Sequence, residues 1–225
     1  MANRFSQIKV LIWDFDGTFY KPNAALWQDV RQAEYQTIMN HTGWSKKKTV
    51  IEFEDTHKHK FGSATQVAAF LSRISIVEAA VEMENYFDRR KYVQRDEKLI
   101  ALFAKLKNFR HFTLANGVIE KHKQTLAVLG INPEIFEEMV TSETVGVTKP
   151  NPKGFEYILD KTKLAPSAHL MIGDREAIDL VPAKQLGMKT CLVWSDEKSE
   201  IADATLSSVY EVSSLFLQNP QNPGM

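Results

Sequence analysis

WDFDGTFYKPN, residues 13–23, closes the apolar run IKVLIW (8–13) and sets two carboxylates, Asp14 and Asp16, just ahead of Gly17 and Thr18. A run that is apolar at nearly every position suits a strand of a parallel sheet covered on both faces. Residues i and i+2 of a strand share a face about 6.5 Å apart, so both acids leave the strand's carboxyl end on one side. In open α/β sheets that end is where ligands bind. Gly17 permits close backbone approach, and the N–H groups after it can point at an anion. Two carboxylates without partners repel, so the stretch calls for a positive charge between them.

Four further runs read as buried strands: RHFTLA (110–115), EEMVTS (137–142), HLMIG (169–173) and KTCLVW (189–194). Helical patterns separate them, VIEKHKQTLAVLG, NPKGFEYILDKTK and AIDLVPAKQLG, with Gly130 and Gly187 as C-terminal stops. Strand alternating with helix predicts an α/β fold with a doubly wound, Rossmann-like parallel sheet. The interval 21–95 breaks the alternation. It shows only helical stretches, with stops at Gly43 and near Gly62 and N-caps at Ser45, Ser63 and Ser75. We therefore expect an α/β core of residues 1–20 and 96–217, an inserted all-helical cap domain of residues 21–95, and a flexible tail, 218–225.

Composition bounds the function class. The chain has 225 residues, and 28 Lys and Arg balance 28 Asp and Glu, so net charge points to neither nucleic acid nor membrane. WSKKKT reads as a solvated helix start. The single cysteine, Cys191, excludes an internal disulfide and sits in an apolar run, which suits packing. No stretch reaches the ~20 apolar residues of a membrane span, and the N-terminal apolar run is too short for a signal-peptide core. The expectation is a cytoplasmic protein, monomer or homodimer, with a small-molecule partner.

A second set of acids completes the first. MIGDREAID puts Asp174 at the end of the fourth strand and Asp179 at the start of the next helix. Oxygen ligands from two strand ends, without a His or Cys cluster, suit Mg²⁺. For Asp179 a plain helix N-cap is the alternative, with Pro182 tolerated in the first turn. TLANG ends the second strand in Asn116, before a helix whose N-terminal amides favour anions. VTKPNP places Lys149 in a loop on the edge where the acids gather, suited to neutralising a phosphate.

In their order, DFDGT, a strand ending in Asn, KPNP and GDREAID resemble the motifs of the haloacid dehalogenase-like hydrolase superfamily, and the helical insert resembles its C1 cap. The resemblance spans roughly residues 8–194 and points to the phosphatase branch. It implies that Asp14 is the nucleophile that forms an aspartyl-phosphate, and that Asp16 is the general acid and base. Lys149 would steady nucleophile and phosphoryl oxygens, with Gly17, Thr18, Asn116 and Gly117 as phosphate donors. The metal set would be Asp14, Asp16 through its carbonyl, Asp174 and Asp179. One position departs from the pattern: Ala115 stands where the family carries Ser or Thr. The expected function is a Mg²⁺-dependent phosphomonoester hydrolase of a small phosphorylated metabolite. The alternatives are a phosphomutase of the β-phosphoglucomutase type and a weakened ligand-binding homologue. In the insert, FEDTHKHKFG offers His57 and His59 to a substrate, or simply a solvated helix face.

Overall fold

A computed structural model describes residues 4–21 and 23–217; the expected tail, 218–225, lies outside them. Strand β1 (Val10–Trp13) is buried at every position. It sends Leu11 and Trp13 into one apolar cluster and Val10 and Ile12 into another. Two-sided burial explains why none of the four residues of β1 is charged.

Four helices follow: α1 (Ala24–Thr42), α2 (Lys46–His59), α3 (Ala64–Ser72) and α4 (Ile76–Met83). Each begins where a side chain accepts from a first-turn N–H: Asn23, Ser45, Ser63 and Ser75. Ser75 and Glu78 form a reciprocal capping box. Gly43 ends α1 in the left-handed region at φ 68°. Ala33 and Ile38 of α1, Phe53 of α2, Val67 and Ala68 of α3 and Met83 of α4 belong to one buried apolar cluster. The chain does not stay helical through NYFDRR as the pattern suggested. Helix α4 stops at Met83, and a short 3₁₀ turn at Arg89–Lys91 leads back to α5 (Glu97–Lys105).

The remainder alternates: β2 (Arg110–Leu114), α6 (Ile119–Leu129), β3 (Phe136–Val140), α7 (Ser142–Val145), α8 (Lys153–Thr162), β4 (His169–Gly173), α9 (Val181–Gln185) and β5 (Lys189–Leu192). A two-residue strand, β6 (Ala204–Thr205), adds an edge the sequence did not announce. The third run ends earlier than expected, because Thr141 caps α7 and Ser142 already belongs to it. The first and fifth runs are also shorter than their apolar stretches, starting at Val10 and ending at Leu192.

The sheet is parallel throughout, in the order β3-β2-β1-β4-β5-β6. This is a doubly wound α/β sheet with β1 at its centre, where the strand order reverses. The carboxyl ends of β1, β2 and β4 lie side by side, as Trp13 pairs with Thr113 and Ile172. Cys191 is fully buried and free, and burial pushes its thiol up to about 12. Among the described residues no single helix is long and apolar enough to cross a membrane.

Candidate active site

The strand ends deliver the acids together. Asp14 leaves β1, Asp174 leaves β4, and Asp179 sits in a wide helical turn, Glu176–Leu180, ahead of α9. Oxygens of these three carboxylates lie within 4.8 Å of one another. Lys149 reaches in from the loop between α7 and α8, its Nζ 2.5 Å from Asp14 Oδ1 and 2.6 Å from Asp179 Oδ1. All four groups are buried or nearly so. Burial works against the Lys149 ammonium, yet Asp14 and Asp179 outweigh it and hold its pKa above the ordinary lysine value.

Lys149, together with Arg175, whose Nε lies 3.8 Å from Asp174 Oδ1, does not balance three carboxylates. Burial, with Asp14 and Asp179 adding repulsion, lifts Asp174 to about 8. Among the described residues its buried Oδ1 has no hydrogen-bond partner, the Arg175 Nε standing off at 3.8 Å. An orphaned carboxylate oxygen inside a cluster of excess negative charge fits a hard divalent cation. Asp179 is not an N-cap: Arg175 holds that position without a side-chain bond. Instead Asp179 Oδ2 accepts from the Arg175 N–H at 3.1 Å while Oδ1 accepts from Lys149.

The candidate phosphate donors are placed unevenly. Thr18 donates through Oγ1 to Asp14 Oδ2 at 3.1 Å and through its N–H to the Phe15 carbonyl, so both donors are engaged. The Asn116 side chain is likewise committed. Its Oδ1 accepts from the Lys149 N–H at 2.8 Å and its amide donates to the Lys149 carbonyl at 3.2 Å. Asn116 thereby ties the end of β2 to the lysine loop and aims Lys149. Among the described residues the backbone N–H groups of Asn116 and Gly117 have no partner, and both residues line the cavity beside Asp14. The glycines are there for space. At Gly17, with φ 92°, an added Cβ would stand 2.3 Å from Asp174 Oδ2, and at Gly117 it would stand 2.6 Å from His122 Nε2.

Asp16 faces elsewhere. Arg89 grips both its oxygens through Nε, at 2.8 and 2.9 Å, and through Nη2 at 2.8 Å, while the Tyr20 hydroxyl also donates to it. Burial would raise the Asp16 carboxyl, but Arg89 overcomes it and brings it down to about 2. The Arg89 Nη1 meanwhile donates to buried Glu84, at the end of α4. His122 stacks on Phe15 at 4.1 Å with neither ring nitrogen bonded, and burial, joined by Arg89, drops it to about 3. Glu84, Arg89, Tyr20 and His122 gave no motif. Arg89 lies 73 positions from Asp16, and a lone basic pair in a polar segment carries no periodicity.

The family model for haloacid dehalogenase-like hydrolases matches residues 8–187. The chain belongs to the haloacid dehalogenase-like hydrolases. It is 35% identical over 104 residues to the glyceraldehyde 3-phosphate phosphatase of Methanocaldococcus jannaschii, a match covering 44% of this chain and 45% of that protein. The chain thus spans less than half of that relative. A longer match, 28% identical over 197 residues, joins it to the Methanopyrus kandleri protein of the same name, covering 81% and 82%. The fold of this hydrolase also resembles that of a phosphatase from Thermococcus onnurineus, with a TM-score of 0.66, 20% identity, and coverage of 92% and 97%.

Between strand ends and helices this hydrolase holds a cavity of about 90 Å³. Asp14, Asp16, Ala115, Asn116, Gly117 and Arg175 form one wall; Trp27 and Glu34 from α1, Thr65 from α3 and Met83 from α4 are on the other. His57 and His59 are not among its lining residues: the His57 ring lies tilted against Phe53, centroids 5.6 Å apart, and His59, exposed, pairs with Asp55 at 3.1 Å. Their position at the end of α2 makes them the solvated face that the pattern also allowed.

Glu34 gives the helical wall a pH signature. Burial lifts its carboxyl to about 7, against the pull of Arg31, whose Nη1 lies 2.8 Å away. Unfolded, a glutamate titrates near 4.3, so between ~4.3 and ~7 the folded chain keeps a proton that the unfolded chain has lost. Stability contributed by this group therefore falls as pH rises through that window and is level above it. Glu34→Gln should remove up to about 3 kcal/mol of that decline. Urea melts of both proteins at pH 5 and pH 8 measure it, and parallel pH dependence would contradict the assignment.

Proposed function

We propose that this chain is a Mg²⁺-dependent phosphomonoester hydrolase that acts on a small phosphorylated metabolite through an aspartyl-phosphate at Asp14. The observation that carries the reading is the pairing of Asp14 with Lys149 in an over-acidic cluster that opens onto two unbonded peptide N–H groups. The names of the relatives, all glyceraldehyde 3-phosphate phosphatases among the first matches, agree with it.

In this reading the phosphoryl group sits against the Asn116 and Gly117 N–H groups, with Lys149 and Arg175 nearby to draw charge from its oxygens. Thr18 and Lys149 fix the two oxygens of Asp14, so the nucleophile does not rotate away. An Asp14 oxygen bonds to phosphorus as the ester P–O bond breaks, and the departing alkoxide takes a proton from Asp16. Asp16 then accepts a proton from the water that attacks phosphorus, which frees Asp14 and releases inorganic phosphate. Mg²⁺, held by Asp14, Asp174 and the Asp16 carbonyl with Asp179 completing the set, would supply the positive charge that lets an anionic nucleophile meet an anionic phosphate. In the geometry seen, Asp16 is held ionised by Arg89, so its proton donation requires Arg89 to let go. The helices of the interval 21–95 serve as the cap, closing the cavity over the leaving group and excluding water.

Phosphate release from a panel of small phosphoesters, with Mg²⁺ and with excess chelator, tests this function. No release with metal, or equal release with chelator, would overturn it. Ala115 belongs to the same test. It is 4% exposed and lines the cavity, where a hydroxyl would add a donor to the phosphoryl group. Hydrogen bonds to charged groups contribute ~1.5–3 kcal/mol, and water offsets part of the loss, so Ala115→Ser should raise kcat/KM about tenfold. A slower serine variant would show that the alanine is fitted to one substrate.

A further inference from the structure

We infer that the substrate of this cavity is a small phosphomonoester whose alcohol carries no negative charge, and that Glu84 is the residue that turns carboxylate-bearing esters away. The inference rests on the phosphatase reading and narrows it.

The distribution of charge carries the argument. The phosphoryl end has Lys149 and Arg175 close by. The wall facing the leaving alcohol, from α1, α3, α4 and the segment after α4, has a single cation among its described residues, Arg89. Every nitrogen of that guanidinium is taken: Nε and Nη2 by Asp16, Nη1 by Glu84. Two carboxylates share one guanidinium, so Arg89 offers no uncompensated positive charge before any ligand enters. When Arg89 releases Asp16, it still carries Glu84 and remains half of a neutral pair. Glu34 adds a further acid, balanced only by Arg31.

A carboxylate on the leaving group would lose its water here and find Glu84 in place of a free cation. Unpaired charge and like-charge contact are both costly in such a site. Hydroxyl and carbonyl groups are served better. Glu84 and Glu34 can accept from hydroxyls, the Thr65 hydroxyl can donate to a carbonyl, and Trp27 and Met83 offer apolar surface to carbon.

The test compares glyceraldehyde 3-phosphate with 3-phosphoglycerate, which share a carbon chain and differ by an aldehyde against a carboxylate. With Mg²⁺ present, the wild type should favour the aldehyde by about 100-fold in kcat/KM. Glu84→Gln keeps the shape of the wall and an acceptor for Arg89 Nη1 but removes the charge that opposes a substrate carboxylate, leaving Arg89 uncompensated on that side. That variant should narrow the ratio to about tenfold, chiefly by improving the carboxylate ester. A wild-type ratio near unity or inverted would overturn the inference, and that measurement needs no variant to fold. A ratio unmoved in a folded Glu84→Gln protein would remove Glu84 from it. Failure to hydrolyse either ester or p-nitrophenyl phosphate would strike the phosphatase reading itself and take the inference with it. Release from p-nitrophenyl phosphate with the wrong ester preference would strike the inference alone.

Discussion

Asp14→Asn is expected to lower the rate of phosphomonoester hydrolysis by about 10⁴-fold or more, as loss of a covalent nucleophile does elsewhere. An amide oxygen is a poor nucleophile, and no other carboxylate can replace it. Asp174 and Asp179 follow β4, and neither lines the cavity that Asp14 faces. The fold should survive. The substitution removes one of three crowded carboxylates while Lys149 keeps Asp179 as a partner. Released repulsion offsets the lost ion pair, so the melting temperature should change little. Phosphate release and a thermal melt on one preparation measure both halves. Retained turnover would contradict the role of Asp14, and an unfolded variant would contradict the charge accounting.

Lys149→Met should be the mirror case, damaging stability as well as rate. The ammonium is the only described cation bonded to Asp14 and Asp179, and it is 2% exposed. Removing one partner of a buried ion pair costs ~3–5 kcal/mol, because the remaining charges stay buried and unpaired. For a chain of this size that lowers the melting temperature by roughly 6–20 °C. Mg²⁺ should recover much of this loss in the variant and raise the wild type less, since the ion supplies the charge that the lysine no longer does. Activity should fall about 10²–10³-fold, the effect of removing one donor to developing charge. Equal stability of both proteins without metal would show that Lys149 does not balance the cluster.

The parts legible in the sequence were those set by local pattern. β1 could be read because burial on both faces leaves an unbroken apolar run, and its acids because the strand ends where polarity begins. The serine caps of α2, α3 and α4 and the glycine stops were legible for the same reason: one residue satisfies orphaned groups within a turn of itself. What escaped depends on distance along the chain. β6 is two half-buried residues held by pairing to β5, too short for any periodicity. Arg89 reaches Asp16 only because α4 stops at Met83 and the segment after it turns back toward the strand ends. Asn116 and Thr18 were placed beside the phosphate by their motifs. Their side chains instead hold Lys149 and Asp14, which only the three-dimensional arrangement could distinguish. Asp179 was open between a helix cap and a site role, and the wide turn at Glu176–Leu180 settles its geometry by pointing it back at Lys149 and the Arg175 N–H.

In the proposed reaction the phosphoryl group passes through Asp14. The most direct test is to mix enzyme, Mg²⁺ and a phosphoester labelled in the phosphoryl group, quench in acid within the first turnover, and map the label by peptide mass spectrometry. Label is expected on the peptide that carries Asp14, absent from Asp14→Asn and formed before free phosphate. Free phosphate appearing in the first turnover with no labelled peptide at any quench time would contradict it.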